Sequence, residues 1–260
     1  MTVTGILRQL SRPPRRLARR ALERAGLHHQ PPAGDPRYRL RVVLAEQFLA
    51  GDGLEIGALH HPLPVPPAAR VRYVDRLDTA GLRQQFPELA GEPLAPVDII
   101  DDAERLATIA DASQDFVIAN HLLEHTQNPI GALRRFLEVL KPGGSLYLAI
   151  PDQRGTFDRD RPLTTLDHLH RDHAEGPQWS YFDHLNEYVT MVERLTGPAH
   201  EQRVQQLAAS DYRIHFHVWT CDTFWEFLNA VRRRYELPFT VRAFVYNVAL
   251  SEAISVLAKT

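Results

Sequence analysis

Between residues 40 and 150 the chain repeats one pattern: a short apolar run, then a helix-length segment, then another apolar run. The runs are "GLEIG", "VRYVD", "PVDII", "DFVIAN" and "SLYLAI", rich in branched and aromatic residues and bounded by Gly, Asp or Asn. Strands that alternate with helices need crossover connections, and crossovers make the strands parallel and cover both faces of the sheet. This rhythm restricts the chain to an α/β sandwich more than any bulk property does.

The elements between the strands carry their own signals. "RYRLRVVLAEQFLAG" places Leu40, Val43, Leu44 and Phe48 near helical spacing and stops at Gly51. After "DFVIAN", Asn128 is a candidate cap and Pro129 suits a first turn. Ile130, Leu133, Phe136, Leu137 and Leu140 then form one apolar stripe closed by "KPGG". Residues 151–212 break the rhythm: they are polar, rich in histidine and free of strand signals, and read as an insertion after strand five. "CDTFWEFLNAVRRRY" resumes as an amphipathic helix with Asp222 a candidate cap. "FTVRAFVYN" and "EAISVLAK", joined by the tight "VALS", read as an antiparallel pair. The expected layout is a basic arm over 1–34 and one domain over 35–260, with 151–212 lying on the acceptor side.

The charge is unevenly distributed. Residues 1–40 hold nine Arg and two acids, a net +7, so the remainder carries −9 of the total −2. The arm reads as a solvated tail, with peripheral contact to an anionic membrane as its functional alternative. No apolar h-region follows the arginines and no run reaches the length of a membrane span, so the expected location is the cytoplasm. The acidic body argues against nucleic acid. The single Cys221 excludes an intramolecular disulfide framework and a multi-cysteine zinc site.

In an open parallel sheet, ligands bind beyond the carboxyl ends of the strands. Gly57, Asp75, Asp102 and the Asn120-His121 pair stand at four such ends. A carboxylate closing the second strand can accept both hydroxyl protons of a ribose, which implies an adenosine-type ligand. A dinucleotide would also need a glycine-rich phosphate cradle. After Gly57 the next glycine is Gly81, and the loop instead runs through "LHHPLPVPP". S-adenosylmethionine carries adenosine without phosphate. Glu55 and the Gly57–Ala58 turn can meet its amino-acid end.

"LEIGA", "VRYVD", "DDAERL", "SQDFVIANHLLEH" and "ALRRFLEVLKPGGSLYLAIPD", spread over residues 54–152, resemble the class I S-adenosylmethionine-dependent methyltransferases. The resemblance implies a Rossmann-like, doubly wound seven-stranded sheet, mostly parallel, ending in the antiparallel hairpin. It also implies that Glu55, Gly57 and Ala58 form the first cofactor loop and that Asp75 binds ribose. Asp102 and Ala103 would meet the adenine, with Asn120 and His121 flanking the methionine portion. The chain departs from the family where two further glycines usually follow Gly57.

Methyl transfer to an alcohol needs its proton removed, and histidine suits that task. Seven of the thirteen histidines lie in 168–217. His173, His184 and His217 are the candidate bases from this stretch, with His125 a further candidate after strand four. The insertion is expected to roof the cofactor pocket, and Trp179, Tyr181, Tyr188 and Trp219 offer flat surfaces for an acceptor. His-x-His and His-x-x-Glu are ligand-like spacings, but no tight motif such as H-E-x-x-H is present, so a divalent metal is not favoured. The sequence points to O-methylation of a carbohydrate or glycosylated small molecule. A phenolic or amine natural product is the alternative acceptor, and a non-catalytic cofactor-binding scaffold the alternative class.

Overall fold

The computed structural model describes residues 36–260, so the basic arm lies outside the described residues. Seven strands form one sheet in the order β3-β2-β1-β4-β5-β7-β6. They are β1 (Gly51–Ile56), β2 (Ala69–Asp75), β3 (Ile99–Ile100), β4 (Gln114–Asn120), β5 (Leu140–Pro151), β6 (Phe239–Asn247) and β7 (Glu252–Lys259). The first five pair in parallel; β7 runs antiparallel to both β5 and β6. The strand order reverses between β1 and β4, which opens a crevice at their carboxyl ends.

Side chains alternate across the sheet and feed two cores. On one face Leu54, Ile56, Val117, Ala119, Leu146 and Leu148 pack against two helices, α3 (Pro129–Val139) and α7 (Cys221–Arg234). On the other, Phe116, Ile118, Tyr147 and Ile254 meet α1 (Arg39–Phe48) through Leu44 and Ala45. Helix α2 (Thr79–Gln85) follows β2 and is capped by the Asp78 carboxylate. Helix α3 starts as its sequence predicts, with the Asn128 side chain accepting from the Gly131 N–H and Pro129 in the first turn.

Three boundaries differ from expectation. Helix α3 ends at Val139, and Leu140 already opens β5, so "KPGG" lies inside that strand; Gly143 supplies a φ of 80° there. The third strand shrinks from five residues to Ile99–Ile100. It lies on the sheet edge, where Asp98 leaves the ladder to accept the Tyr73 N–H through its carboxylate. Helix α7 is capped by Thr220, not Asp222. The Thr220 hydroxyl accepts from the Thr223 N–H, the Thr223 hydroxyl answers the Thr220 N–H, and Asp222 falls within the first turn. Cys221 is buried at the start of that helix, and its N–H donates to the Asp152 carboxylate.

The insertion contains α4 (Leu166–Glu175), α5 (Tyr181–Met191) and α6 (Gly197–Ala209) and no strand. It has its own core, in which Leu185, Tyr188 and Val189 pack against Val204, Leu207, Ile214 and Phe216. Among the described residues, no helix is long and apolar enough to cross a membrane.

Candidate active site

A cavity of about 490 Å³ opens at the carboxyl ends of β1, β2 and β4. That volume is within the range of pockets that enclose a small molecule or cofactor. All eight residues read from the sequence as cofactor contacts line it: Glu55, Gly57, Ala58 and Asp75 from the first two strands, Asp102, Ala103, Asn120 and His121 from the next two.

The first loop shows how the chain dispenses with the missing glycines. Gly57 takes a φ of 69° and donates its N–H to the Val74 carbonyl, which turns the chain sharply off β1. Leu59 adopts a φ of 47°, a conformation costly for a residue with a side chain, at a position where glycine would be relaxed. Both Glu55 carboxyl oxygens accept from the Leu63 N–H, at 2.9 and 3.1 Å. The carboxyl therefore anchors the proline-rich segment from beneath. Burial pushes its pKa up to about 8, against the lowering effect of that N–H and of Arg41.

Asp75 closes β2 with its Oδ1 accepting from the Arg76 N–H at 2.7 Å. Burial pushes its pKa up to about 6. Asp102 is held by the Glu104 N–H, and Asp101 beside it accepts from the N–H and hydroxyl of Thr108. Asn120 has both amide atoms buried without a hydrogen bond, although buried polar groups are nearly always paired. An unmet donor and acceptor on a cavity wall fit a ligand with its own polar groups. S-adenosylmethionine fits this set: a carboxylate for the ribose, a tight glycine turn, an unsatisfied amide, and no phosphate cradle.

His121 follows directly, with a φ of 49°. Its Nε2 is 2.8 Å from Oε2 of Glu252, the first residue of β7. Glu252 also accepts from the Arg41 guanidinium and from the Asn247 amide. Burial alone would raise the Glu252 carboxyl, but Arg41 and His121 hold it well below the usual carboxylate range. The sequence reading missed Glu252 and Arg41. The signal for them is a charge on the buried side of an apolar element, in "SEAISVLAK" and in the first helix, since such charges are rarely buried unpaired.

The four candidate bases divide. His125 lines the cavity. Its Nδ1–H donates to the carbonyls of Arg213 and Ile214, and burial with neighbouring His215 lowers its pKa to about 3. His173, His184 and His217 do not line the cavity. His173 lies between α3 and α4, with Nδ1 3.2 Å from the capping Asn128 Oδ1 and its ring against Tyr235. His184 and His217 are buried inside the insertion. His215, two residues before His217, turns to a different partner, Asp158 at 2.6 Å.

The insertion itself stands aside, because its helices close over their own core; of residues 151–212 only Gly155 reaches the cavity wall. Further parts of the cavity wall are built by Tyr38 and Arg41, by His60 and His61, by Arg213, and by the β6–β7 turn at Val248–Ser251. Trp219 packs in the main core, Tyr188 in the insertion core, and Trp179 lies under the Arg171 guanidinium at 4.0 Å. None of these, nor Tyr181, lines the cavity.

A family model described as a methyltransferase domain matches residues 15–220. No curated protein matches the chain. Among solved structures, the CurJ carbon methyltransferase is 16% identical with a TM-score of 0.44, covering 82% of this chain and 49% of that one. A SAM-dependent methyltransferase from Aquifex aeolicus is 15% identical with a TM-score of 0.43, covering 86% and 93%. One from Methanosarcina mazei is 15% identical with a TM-score of 0.42, covering 81% and 92%. The chain belongs to the methyltransferase-domain family, and its methyl donor is S-adenosylmethionine.

Proposed function

We propose that the chain methylates a hydroxyl of a small polar acceptor, of carbohydrate or glycosylated type, with His121 as the base and Glu252 as the group that orients it. The observation that carries this reading is the 2.8 Å bond between them in the cavity wall. Glu252 is held ionised, so it accepts, and the His121 proton resides on Nε2. A carboxylate that accepts from an imidazole in this way orients the ring for proton transfer, and the other ring nitrogen, Nδ1, lies 3.8 Å from Oε1 of Glu124.

Bound cofactor supplies the electrophilic methyl group. Asp75 would hold the ribose hydroxyls, Asp102 and Ala103 the adenine, and Asn120 with the Gly57–Ala58 turn the amino-acid end; Glu55 keeps that turn in place. His121 would take the hydroxyl proton as the methyl group passes to the oxygen, the C–S electron pair staying on the cofactor's sulfur, which leaves as a neutral thioether. Alignment of the two reactants supplies several kcal/mol of the barrier reduction, on the order of 7–11 in favourable cases. Base assistance adds roughly 10²–10⁴-fold. His125, whose low pKa makes it a weak base, presents a neutral imidazole as a hydrogen-bonding group for the acceptor. Tyr38, His60 and His61 add further polar groups, which favours a hydroxyl-rich acceptor over a flat phenolic one.

Isotope-labelled S-adenosylmethionine, offered with sugars, glycosides, phenols and amines, tests the reading. Label transferred to a sugar or glycoside hydroxyl, and lost in His121→Gln, supports it. Transfer only to phenols or amines moves the acceptor class, and binding without turnover on any acceptor marks a scaffold.

A further inference from the structure

Away from the cavity, four side chains converge inside the insertion. His168 and Asp172 stand one turn apart on α4, His184 comes from α5, and His217 from the extended segment that precedes α7. Nε2 of His168 is 3.0 Å from Nε2 of His184 and 3.1 Å from Oδ2 of Asp172. Nε2 of His217 is 3.7 Å from that same oxygen, and one ligand atom from each residue lies within 4.8 Å of all the others. A tetrahedral zinc with bonds of ~2.0–2.1 Å holds its ligand atoms roughly 3.3 Å apart, and the three separations straddle that spacing.

Two buried atoms of the cluster have no hydrogen bond. Asp172 is fully buried; its Oδ1 accepts from the Ser180 hydroxyl at 3.0 Å, while Oδ2 has no hydrogen bond. Ser180 thus turns the carboxylate so that one oxygen points at the histidines, as a hydrogen-bonded neighbour does for a metal ligand. His217 likewise leaves Nδ1 without a hydrogen bond, while its Nε2–H donates a long 3.3 Å bond to the Gln127 carbonyl that it would give up on binding an ion. The other histidine group, around Glu124, is less suited. It offers three ligand side chains, Glu124, His125 and His215, against the four of the His168 cluster.

We propose that His168, Asp172, His184 and His217 bind a zinc ion in a closed structural site, an inference independent of the methyl-transfer reading. Three imidazoles and one carboxylate are a borderline-soft set that suits zinc over magnesium or calcium. Four protein ligands leave no open position for substrate, so the ion would be a clamp. It would tie α4 and α5 to the 213–219 segment. That segment also donates the Phe216 N–H to the Glu124 carbonyl and supplies the two carbonyls that hold His125 on the cavity wall.

The test uses the full chain, freed of any metal-binding tag and grown with added zinc. Elemental analysis should find about one zinc per chain in the parent and in His173→Ala, and none in Asp172→Ala or His184→Ala. Chelation should lower the thermal midpoint, and zinc should restore it. Cobalt added to the apoprotein should give the intense visible bands of a tetrahedral site. If the variants do not fold, zinc content and the cobalt spectrum of the parent decide. A folded parent that carries no zinc and takes up none from a chromophoric chelator overturns the proposal, leaving a His168–Asp172 ion pair as the cluster's content.

Discussion

His121 follows β4 and Glu252 opens β7, with β5 between those strands and 131 residues between the two in sequence, yet their Nε2 and Oε2 atoms are 2.8 Å apart. The contact exists because β7 starts beside the end of β5, pairing Glu252 with Pro151, while the His121 N–H donates to the Ala149 carbonyl of the same strand. The antiparallel hairpin thereby delivers a carboxylate to the crevice made by the parallel strands. His121→Gln should lower kcat by roughly 10²–10⁴-fold and leave cofactor affinity within a few-fold. Steady-state kinetics and calorimetry on the same preparation check both halves. A retained rate would remove His121 from the chemistry.

Glu252→Gln should behave differently, because Glu252 also neutralises buried Arg41. Removing one partner of a buried ion pair costs about 3–5 kcal/mol, since the other charge is left uncompensated. The double variant Arg41→Met with Glu252→Gln should recover part of that stability without recovering kcat. Urea unfolding of the two single variants and the double measures the coupling; additive losses would show that the pair is not a unit.

Asp75 carries a pH prediction with a definite sign. Only its ionised form accepts two hydroxyl protons, and burial places its pKa near 6. Cofactor affinity should therefore be level above pH 7 and fall as pH drops through 6, by about tenfold at pH 5. Asp75→Ala should cost on the order of 2–4 kcal/mol of binding at pH 8 and flatten this dependence. Calorimetry across pH 5–8 decides it, and an unchanged affinity in the variant would mean that ribose is held elsewhere.

How much of this site was legible follows from what sets each residue's place. Asp75, Asn120 and Gly57 sit at strand ends, which the short apolar runs before them mark in the sequence. The candidate contacts they imply line one cavity for that reason. His173, His184 and His217 sit in a segment whose position depends on helix packing, which "DHLHRDH" and "YFDHLNEY" do not encode locally. Leu185, Val189, Leu207 and Phe216 close a separate core beside His184 and His217, while His173 packs against Asn128 and Tyr235. Asp222 was misread as a cap because Thr220 and Thr223 form a reciprocal pair that only their hydroxyl geometry reveals. Glu252 escaped notice because its partners, Arg41 and His121, lie 211 and 131 residues away.

Glu55 should make stability depend on pH. Its pKa is about 8 in the folded chain against 4.5 ordinarily, so the folded state holds the proton more tightly than the unfolded state. Stability should fall as pH rises from about 4.5 to 8, by on the order of a few kcal/mol. Glu55→Gln keeps an acceptor for the Leu63 N–H and cannot ionise, so it should fall less than the parent across that window and gain on it at pH 8. Glu55→Ala should lose about 1–3 kcal/mol at every pH by orphaning the N–H. Thermal melts of the three proteins at pH 5 and pH 8 separate these outcomes; parallel curves for parent and Glu55→Gln would show that the carboxyl is not titrating in this range.

Asn120 separates binding from stability. Its amide is buried with neither atom hydrogen-bonded, which costs the folded chain free energy in the absence of a ligand. Asn120→Ala removes that cost together with the contact a ligand would use. The variant should be as stable as the parent or up to about 1–2 kcal/mol more stable, while cofactor affinity drops roughly tenfold. A purely structural asparagine would show the opposite, with lost stability and intact binding. Unfolding midpoints measured with and without saturating S-adenosylmethionine read both quantities in one experiment, because cofactor stabilisation of the folded chain scales with its affinity. A variant that loses stability and keeps the full ligand-induced shift would take Asn120 out of the site and leave its bare amide to be explained by packing.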